Sequence, residues 1–143
     1  MDLPFRRLHP DVALPQRARE GDAGLDLAAN EDALVGPGER ALIPTGLAVA
    51  IPDGHAGLVL PRSGLASRQG LTLSNAPGLI DSGYRGEVTI AVVNLDPRDP
   101  VQIRKGDRIA QLVIVPFGEA RPTEVEELPA SERGGGGFGS TGR

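Results

Sequence analysis

The sequence predicts an all-β protein: a jelly-roll-like barrel or sandwich with one short helix and a flexible, glycine-rich C-terminal arm. Three observations predict it. Apolar runs of strand length recur along the chain, in "ALIPTGLAVAI" (41–51), "AGLVL" (56–60), "EVTIAVVNL" (87–95) and "RIAQLVIVPF" (108–117). Turn residues separate them, in "GPGE" (36–39), "PDG" (52–54), "NAPG" (75–78), "DPRDP" (96–100) and "KGD" (105–107). Proline presets φ for turn entry, while glycine, Asn and Asp accept the backbone angles of tight turns. The 143 residues include 20 glycines and 13 prolines, nearly double the usual share of about 12%. Strand-length runs at this spacing indicate a sandwich, barrel or jelly roll.

The elements follow in order. The opening "MDLPFRRLHP" carries charges and two prolines where a secretory signal needs an apolar core. "DAGLDLAA" (22–29) reads as a strand with Asp26 between two leucines, either facing solvent or held near a bound cation. "SGLASRQG" (63–70) is the only helical candidate of any length, with Ser63 available as its cap. "LSNAPGLIDSGYRGE" (73–87) has the composition of a β-hairpin, in which Leu79 and Ile80 deliver Asp81 into a turn holding Gly83 and Gly86. "KGDRIAQLVI" (105–114) places Gln111 inside a β-branched run. From about Glu119 the chain turns polar and then glycine-rich, so the body is expected over 1–118 and the arm over 119–143.

Composition narrows the function. The length suits one domain. With 39% apolar and 3% aromatic residues the core is lean, a hint that further surface is hidden in an oligomer. A net charge of −4 argues against a nucleic-acid binder with a broad basic face, but a small polyphosphate needs only a few placed cations. There is no cysteine, which removes disulfides and thiolate chemistry. No apolar stretch approaches the roughly 20 residues that cross a bilayer; a soluble, cytoplasmic protein is the expectation.

With only His9 and His55, a histidine triad or histidine metal site is not expected. Carboxylates, a metal ion and oriented water are left to do any chemistry. "LPRSGLASRQG" (60–70) offers Arg62, a forked donor matched to phosphate oxygens, just before the short helix, and Gly64, which lets backbone approach closely. In the 73–87 stretch an Asp, the lone tyrosine and an arginine share one loop. Asp81 beside an apolar wall suits a general base, and open backbone suits the edge of a nucleobase. The tail "RGGGGFGSTGR" (133–143) satisfies a dinucleotide-binding glycine pattern only trivially, because no strand precedes it. It misses the Walker A loop too, since Ser140 stands where the lysine belongs.

"AGLDL", "PRSGLA", "GLIDSGYRGE", "GDRIAQLVI" and "RGGGGFGSTG", in this order, resemble the five motifs of the homotrimeric dUTPase family. The resemblance covers nearly the whole chain from about Asp22. It implies a jelly-roll trimer whose active sites are shared between subunits, and hydrolysis of dUTP to dUMP and pyrophosphate with Mg²⁺. That reaction keeps uracil out of DNA and supplies dUMP for thymidylate synthesis. By the same resemblance Asp81 is the general base, and Asp26 supports the metal through bound water. Arg62, Ser63, Gly64 and Gln111 meet the phosphates, Asn75 and the residues after it read uracil, and Tyr84 packs on deoxyribose. Arg133 contacts the γ-phosphate, Phe138 covers the base, and Gly139, Ser140 and Thr141 close on the phosphates. Gly135 departs from the family, which often has a larger residue there, and a fourth consecutive glycine raises the cost of ordering the arm. The arm's last eleven residues, 133–143, span at most about 36–40 Å when extended, enough to reach a neighbouring subunit. Two alternatives stand beside this reading: a bifunctional relative of dCTP deaminase, and a regulator that binds dUTP without hydrolysing it.

Overall fold

A computed structural model describes residues 1–137. In chain order the strands are β1 (Phe5–Arg7), β2 (Leu25–Ala28), β3 (Ala33–Val35), β4 (Arg40–Val49), β5 (His55–Pro61), β6 (Leu71–Leu73), β7 (Gly78–Ile80), β8 (Glu87–Asn94), β9 (Val101–Ile103) and β10 (Arg108–Pro116). One helix, α1 (Ser63–Gln69), lies between β5 and β6. One four-stranded sheet runs β1-β4-β8-β6, a second runs β2-β10-β5-β7, and β3 and β9 form a two-stranded ladder. All pairings are antiparallel. This is the expected jelly-roll-like all-β fold.

Period-two burial makes the sandwich. Along β8, Val88, Ile90, Val92 and Asn94 are buried while the residues between them are not. Adjacent strand residues point to opposite faces, so one side of each sheet feeds a shared core. Leu27, Ile43, Ile90, Val92, Ile103 and Leu112 form its centre, each at most 1% exposed. Among the described residues no aromatic side chain is fully buried, and Phe5 packs against the core from its margin, so the centre is filled mainly by interdigitating aliphatic side chains.

Two polar residues inside the core hold loops in register. Asn94, fully buried, donates from Nδ2 to the carbonyls of Val35 (3.0 Å) and Asp99 (2.8 Å) and accepts from the Asp96 N–H (2.9 Å). Thr45 donates to the Val88 carbonyl at 2.6 Å, next to a register shift between Pro44 and Ala48. Gly46 sits in that bulge at φ +69°, and its N–H reaches the Glu87 carboxylate at 2.8 Å. Only glycine adopts this angle without strain.

The structure corrects two local expectations. Residues 73–87 do not form a hairpin: β7 pairs with β5 in one sheet, whereas β8 pairs with β4 and β6 in the other. The segment from Asp81 to Gly86 therefore carries the chain from sheet to sheet, and turn composition cannot distinguish that from a hairpin. Nor does Ser63 cap the helix. The N-cap is Arg62, with no side-chain cap bond, and its carbonyl accepts the N–H groups of Leu65 and Ala66 at 3.1 Å. At the other end Gly70 closes the helix in the left-handed region, φ 69°.

After Pro116 the described residues contain no strand or helix. No helix among them is long and apolar enough to cross a membrane.

Candidate functional site

The second sheet brings three of the sequence-selected residues into one place. Gln111 on β10 is the direct cross-strand partner of Asp26 on β2 and of Leu60 on β5. Strand β5 then runs through Pro61 into Arg62 and α1. Asp26, Arg62, Ser63, Gly64 and Gln111 consequently line one cleft of about 460 Å³, a volume ordinary for a small-ligand site. Gln111 points along the sheet, donating to the Pro61 carbonyl at 3.0 Å. Its amide oxygen lies where a Cβ on Gly24 would stand, so the glycine of "AGLDL" makes room for it.

Asp26 is neither solvent-facing nor free. Its side chain is 13% exposed; Oδ1 receives Arg62 Nε at 3.1 Å and Oδ2 receives Arg108 NH1 at 3.0 Å. A second nitrogen of Arg62, NH1, donates to the Arg108 carbonyl at 3.1 Å. One partly buried carboxylate therefore holds two guanidinium groups, one on each oxygen. Arg68, one helical turn on, folds back over Gly64, and a Cβ there would come within 2.8 Å of its NH2.

The sheet-to-sheet segment makes a second, smaller cleft. Asn75, Gly78, Ile80, Tyr84 and Glu87 line about 190 Å³ between β7 and β8, with Val59 at its wall. Tyr84 donates its hydroxyl to the Glu87 carbonyl at 2.9 Å, and its N–H to the carbonyl of Asp81 at 3.1 Å. Asp81 itself is exposed, at the point where the chain leaves β7. Arg85 turns back onto the carbonyls of Ser82 and Tyr84.

The two clefts do not meet within one chain. Val59 borders the smaller and Leu60 the larger. As neighbours on β5 they point to opposite faces of the sheet. The structure thus groups Asp26, Arg62, Ser63, Gly64 and Gln111 on one side, and Asn75, Asp81 and Tyr84 on the other. On the arm, Arg133 donates to the Gly136 carbonyl at 2.6 Å. Phe138, Gly139, Ser140 and Thr141 lie outside the described residues.

Sequence reasoning missed Arg108 and Arg68. Arg108 stands inside the quoted "KGDRIAQLVI", but its approach to Asp26 depends on register. It pairs with Ala28, on the same strand face as Asp26, across a register shift between Arg108 and Ala110. Arg68 carried a signal too: it lies four residues after Gly64, the spacing that puts side chains on one helix face.

Fold and cleft together define a jelly-roll protein with a pocket of small-ligand size, lined by Arg62 and Arg68 together with Asp22 and Asp26. A family model for dUTPase matches residues 11–142, and the chain belongs to the dUTPase family. It is 57% identical over 138 residues to the deoxyuridine 5'-triphosphate nucleotidohydrolase of Thermobifida fusca, covering 96% of this chain and 77% of the relative. It is also 57% identical over 130 residues to the protein of the same name from Cutibacterium acnes, covering 91% and 86%. Among solved structures, a mutant dUTPase of Staphylococcus bacteriophage 80alpha with dUpNHpp superposes with a TM-score of 0.90 at 34% identity, over 99% of both chains. A mutant dUTPase from phage phi11 of S. aureus, which coordinates a structural Mg(II) ion, gives a TM-score of 0.81 at 32% identity over 89% of this chain and 98% of the other.

Proposed function

We propose that the chain hydrolyses dUTP to dUMP and pyrophosphate, by attack of a water on the α-phosphorus with Asp81 as general base. The observation that carries the reading is the complementarity of the two clefts. One presents arginines and backbone suited to phosphates; the other presents Asn75, Tyr84 and open backbone suited to a nucleoside, with the exposed Asp81 next in the chain after its Ile80 wall. Family membership and the names of the close relatives support the same reaction.

In this reading Asn75 and the backbone after it hydrogen-bond the uracil edge. A fixed set of amide partners discriminates sharply when one is left unpaired. Tyr84 lies against deoxyribose, where its ring excludes a 2′-hydroxyl. Arg62, Ser63, Gly64 and Gln111 receive the phosphate oxygens. Asp81, exposed and acceptor-only when ionised, takes the proton of the attacking water, a contribution typically worth about 10²–10⁴ in rate. The arm closes last, with Arg133 on the γ-phosphate, Phe138 over the base, and Gly139, Ser140 and Thr141 along the phosphates.

The residues fit Mg²⁺ as a substrate-borne ion. No cluster of three or more acidic, His or Cys ligands exists among the described residues; Asp22 and Asp26 both line the phosphate cleft, and Asp26 is the one paired with Arg62. Magnesium characteristically keeps several waters and binds through one or two carboxylates plus substrate phosphates, so Asp26 would hold it through water. When bound, the ion neutralises phosphate charge that two or three arginines leave uncompensated.

Because the clefts open on opposite faces of one sheet, a complete site requires Asp81 and Tyr84 from one copy and Arg62 and Gln111 from another. That requirement supports a homotrimer with shared sites, as does the row of exposed apolar residues on and near the arm: Phe117, Val125 and Leu128. The proposed cellular role is to keep uracil out of DNA and to supply dUMP, in the cytoplasm.

The test is pyrophosphate release with Mg²⁺ from dUTP, dCTP, dTTP and UTP in parallel, with Asp81→Asn as control. The proposal requires release from dUTP alone and its loss in the variant. Release from dCTP would favour a bifunctional deaminase, and tight dUTP binding without release a regulator.

A further inference from the structure

We infer that Arg108 is a positioning residue that holds Asp26 in place so that Arg62 can exchange from that carboxylate to the incoming triphosphate. The inference rests on the proposed function and concerns a residue outside its roles.

The geometry is a shared carboxylate. Asp26 is 13% exposed and gives one oxygen to each arginine, Oδ1 to Arg62 at 3.1 Å and Oδ2 to Arg108 at 3.0 Å. Arg62 is doubly parked, on Asp26 through Nε and on the Arg108 carbonyl through NH1. It is also 28% exposed and borders the phosphate cleft. Arg108, at 54% exposed, borders the separate cavity under residues 11–18 and is absent from the lining of the phosphate cleft. Of the two guanidiniums, Arg62 is therefore the one placed to reach a phosphate, and Arg108 the one placed to stay.

A carboxylate as largely shielded from water as Asp26 is costly to strip of its partner. Were Arg62 the only partner of Asp26, its transfer to a phosphate would leave Asp26 uncompensated, and the pair would resist opening. Arg108 removes that penalty by remaining on Oδ2 while Oδ1 is released. Its position opposite Ala28, two residue pairs along from the Asp26–Gln111 pair and on the same strand face, gives a diagonal approach from outside the cleft lining.

Calorimetric binding of dUpNHpp and of dUMP, with Mg²⁺, tests this in wild type, R108Q, R108K, D26N and the D26N/R108Q double variant. R108Q should weaken dUpNHpp about tenfold, one charge-assisted contact's worth, while dUMP changes less than about twofold. R108K should recover most of the loss. In the D26N background, where no carboxylate holds Arg62, R108Q should cost almost nothing. The double variant carries no unpaired carboxylate, so the comparison with D26N stands even if R108Q alone folds poorly. An undiminished R108Q loss in the D26N background would mean that Arg108 meets the phosphates directly, and equal losses for both nucleotides would mean a structural role. Either result overturns the inference while leaving the function intact. Failure of the wild-type chain to bind either nucleotide overturns both.

Discussion

The ring of Tyr84 lies over Gly86, and its hydroxyl donates to the Glu87 carbonyl at 2.9 Å. A Cβ built on Gly86 would stand 2.5 Å from that hydroxyl oxygen, so the glycine is what allows the tyrosine to fold back across the cleft. Glu87 ties the same segment to the opposite strand through the Gly46 N–H at 2.8 Å. This wall of the smaller cleft is thus built from three consecutive contacts.

Gly86→Ala should displace Tyr84 without unfolding the chain, since the site is exposed. Under the proposed function, kcat/KM for dUTP falls about tenfold while UTP is affected less, because a loosened wall no longer rejects the 2′-hydroxyl. Parallel dUTP and UTP kinetics check it. An unchanged dUTP-to-UTP ratio would remove Tyr84 from sugar selection.

Truncation after Glu132 should leave melting temperature and oligomeric state unchanged and nearly abolish turnover. Among the described residues, the hydrogen bonds of Arg133, Gly134 and Gly136 run to residues 131–136 and none reaches a strand of the body. Thermal melts, sizing and pyrophosphate release on the truncated chain are the measurements. Turnover at the wild-type level would show that the arm plays no part in catalysis.

Asn94→Leu should destabilise the fold by about 3 kcal/mol, because it strands two carbonyls and one N–H that now share a single buried amide. Urea unfolding reads the difference. The neighbouring Asp96 carboxyl is held below its usual range by the backbone N–H groups of Asp99 and Arg98. Its support for this loop is therefore present above the ordinary value of 3.8 and is lost as pH falls through the lower folded value.

The long strands were legible in the sequence because each carries several turns of the two-residue period. The run 87–95 became β8 (Glu87–Asn94), and 108–117 became β10 (Arg108–Pro116). Strands β1, β3, β6, β7 and β9 have three residues each, too few to show a period, and they exist because neighbours pair with them. The change of sheet between β7 and β8 was invisible for a related reason: Asp and Gly suit a hairpin and a crossover equally. Asp26, Arg62 and Gln111 were legible as candidates, but their junction was not. It depends on the β2–β10 register, which also delivers Arg108. That the two halves of the candidate site face apart follows only from the alternation of Val59 and Leu60 on a strand whose partners are known.

That separation is the centre of the account, and mixing two disabled chains tests it most directly. Under the proposed function Asp81→Asn removes the base on one face and Arg62→Ala a phosphate contact on the other, so each protein alone should be nearly inactive. Unfolded together in equal amounts and refolded, they should regain about a quarter of wild-type dUTP hydrolysis, the fraction of interfaces that join an intact half from each chain. No recovery from a mixture confirmed to hold both chains in one oligomer would mean that each site is complete within a single chain, and would contradict the account.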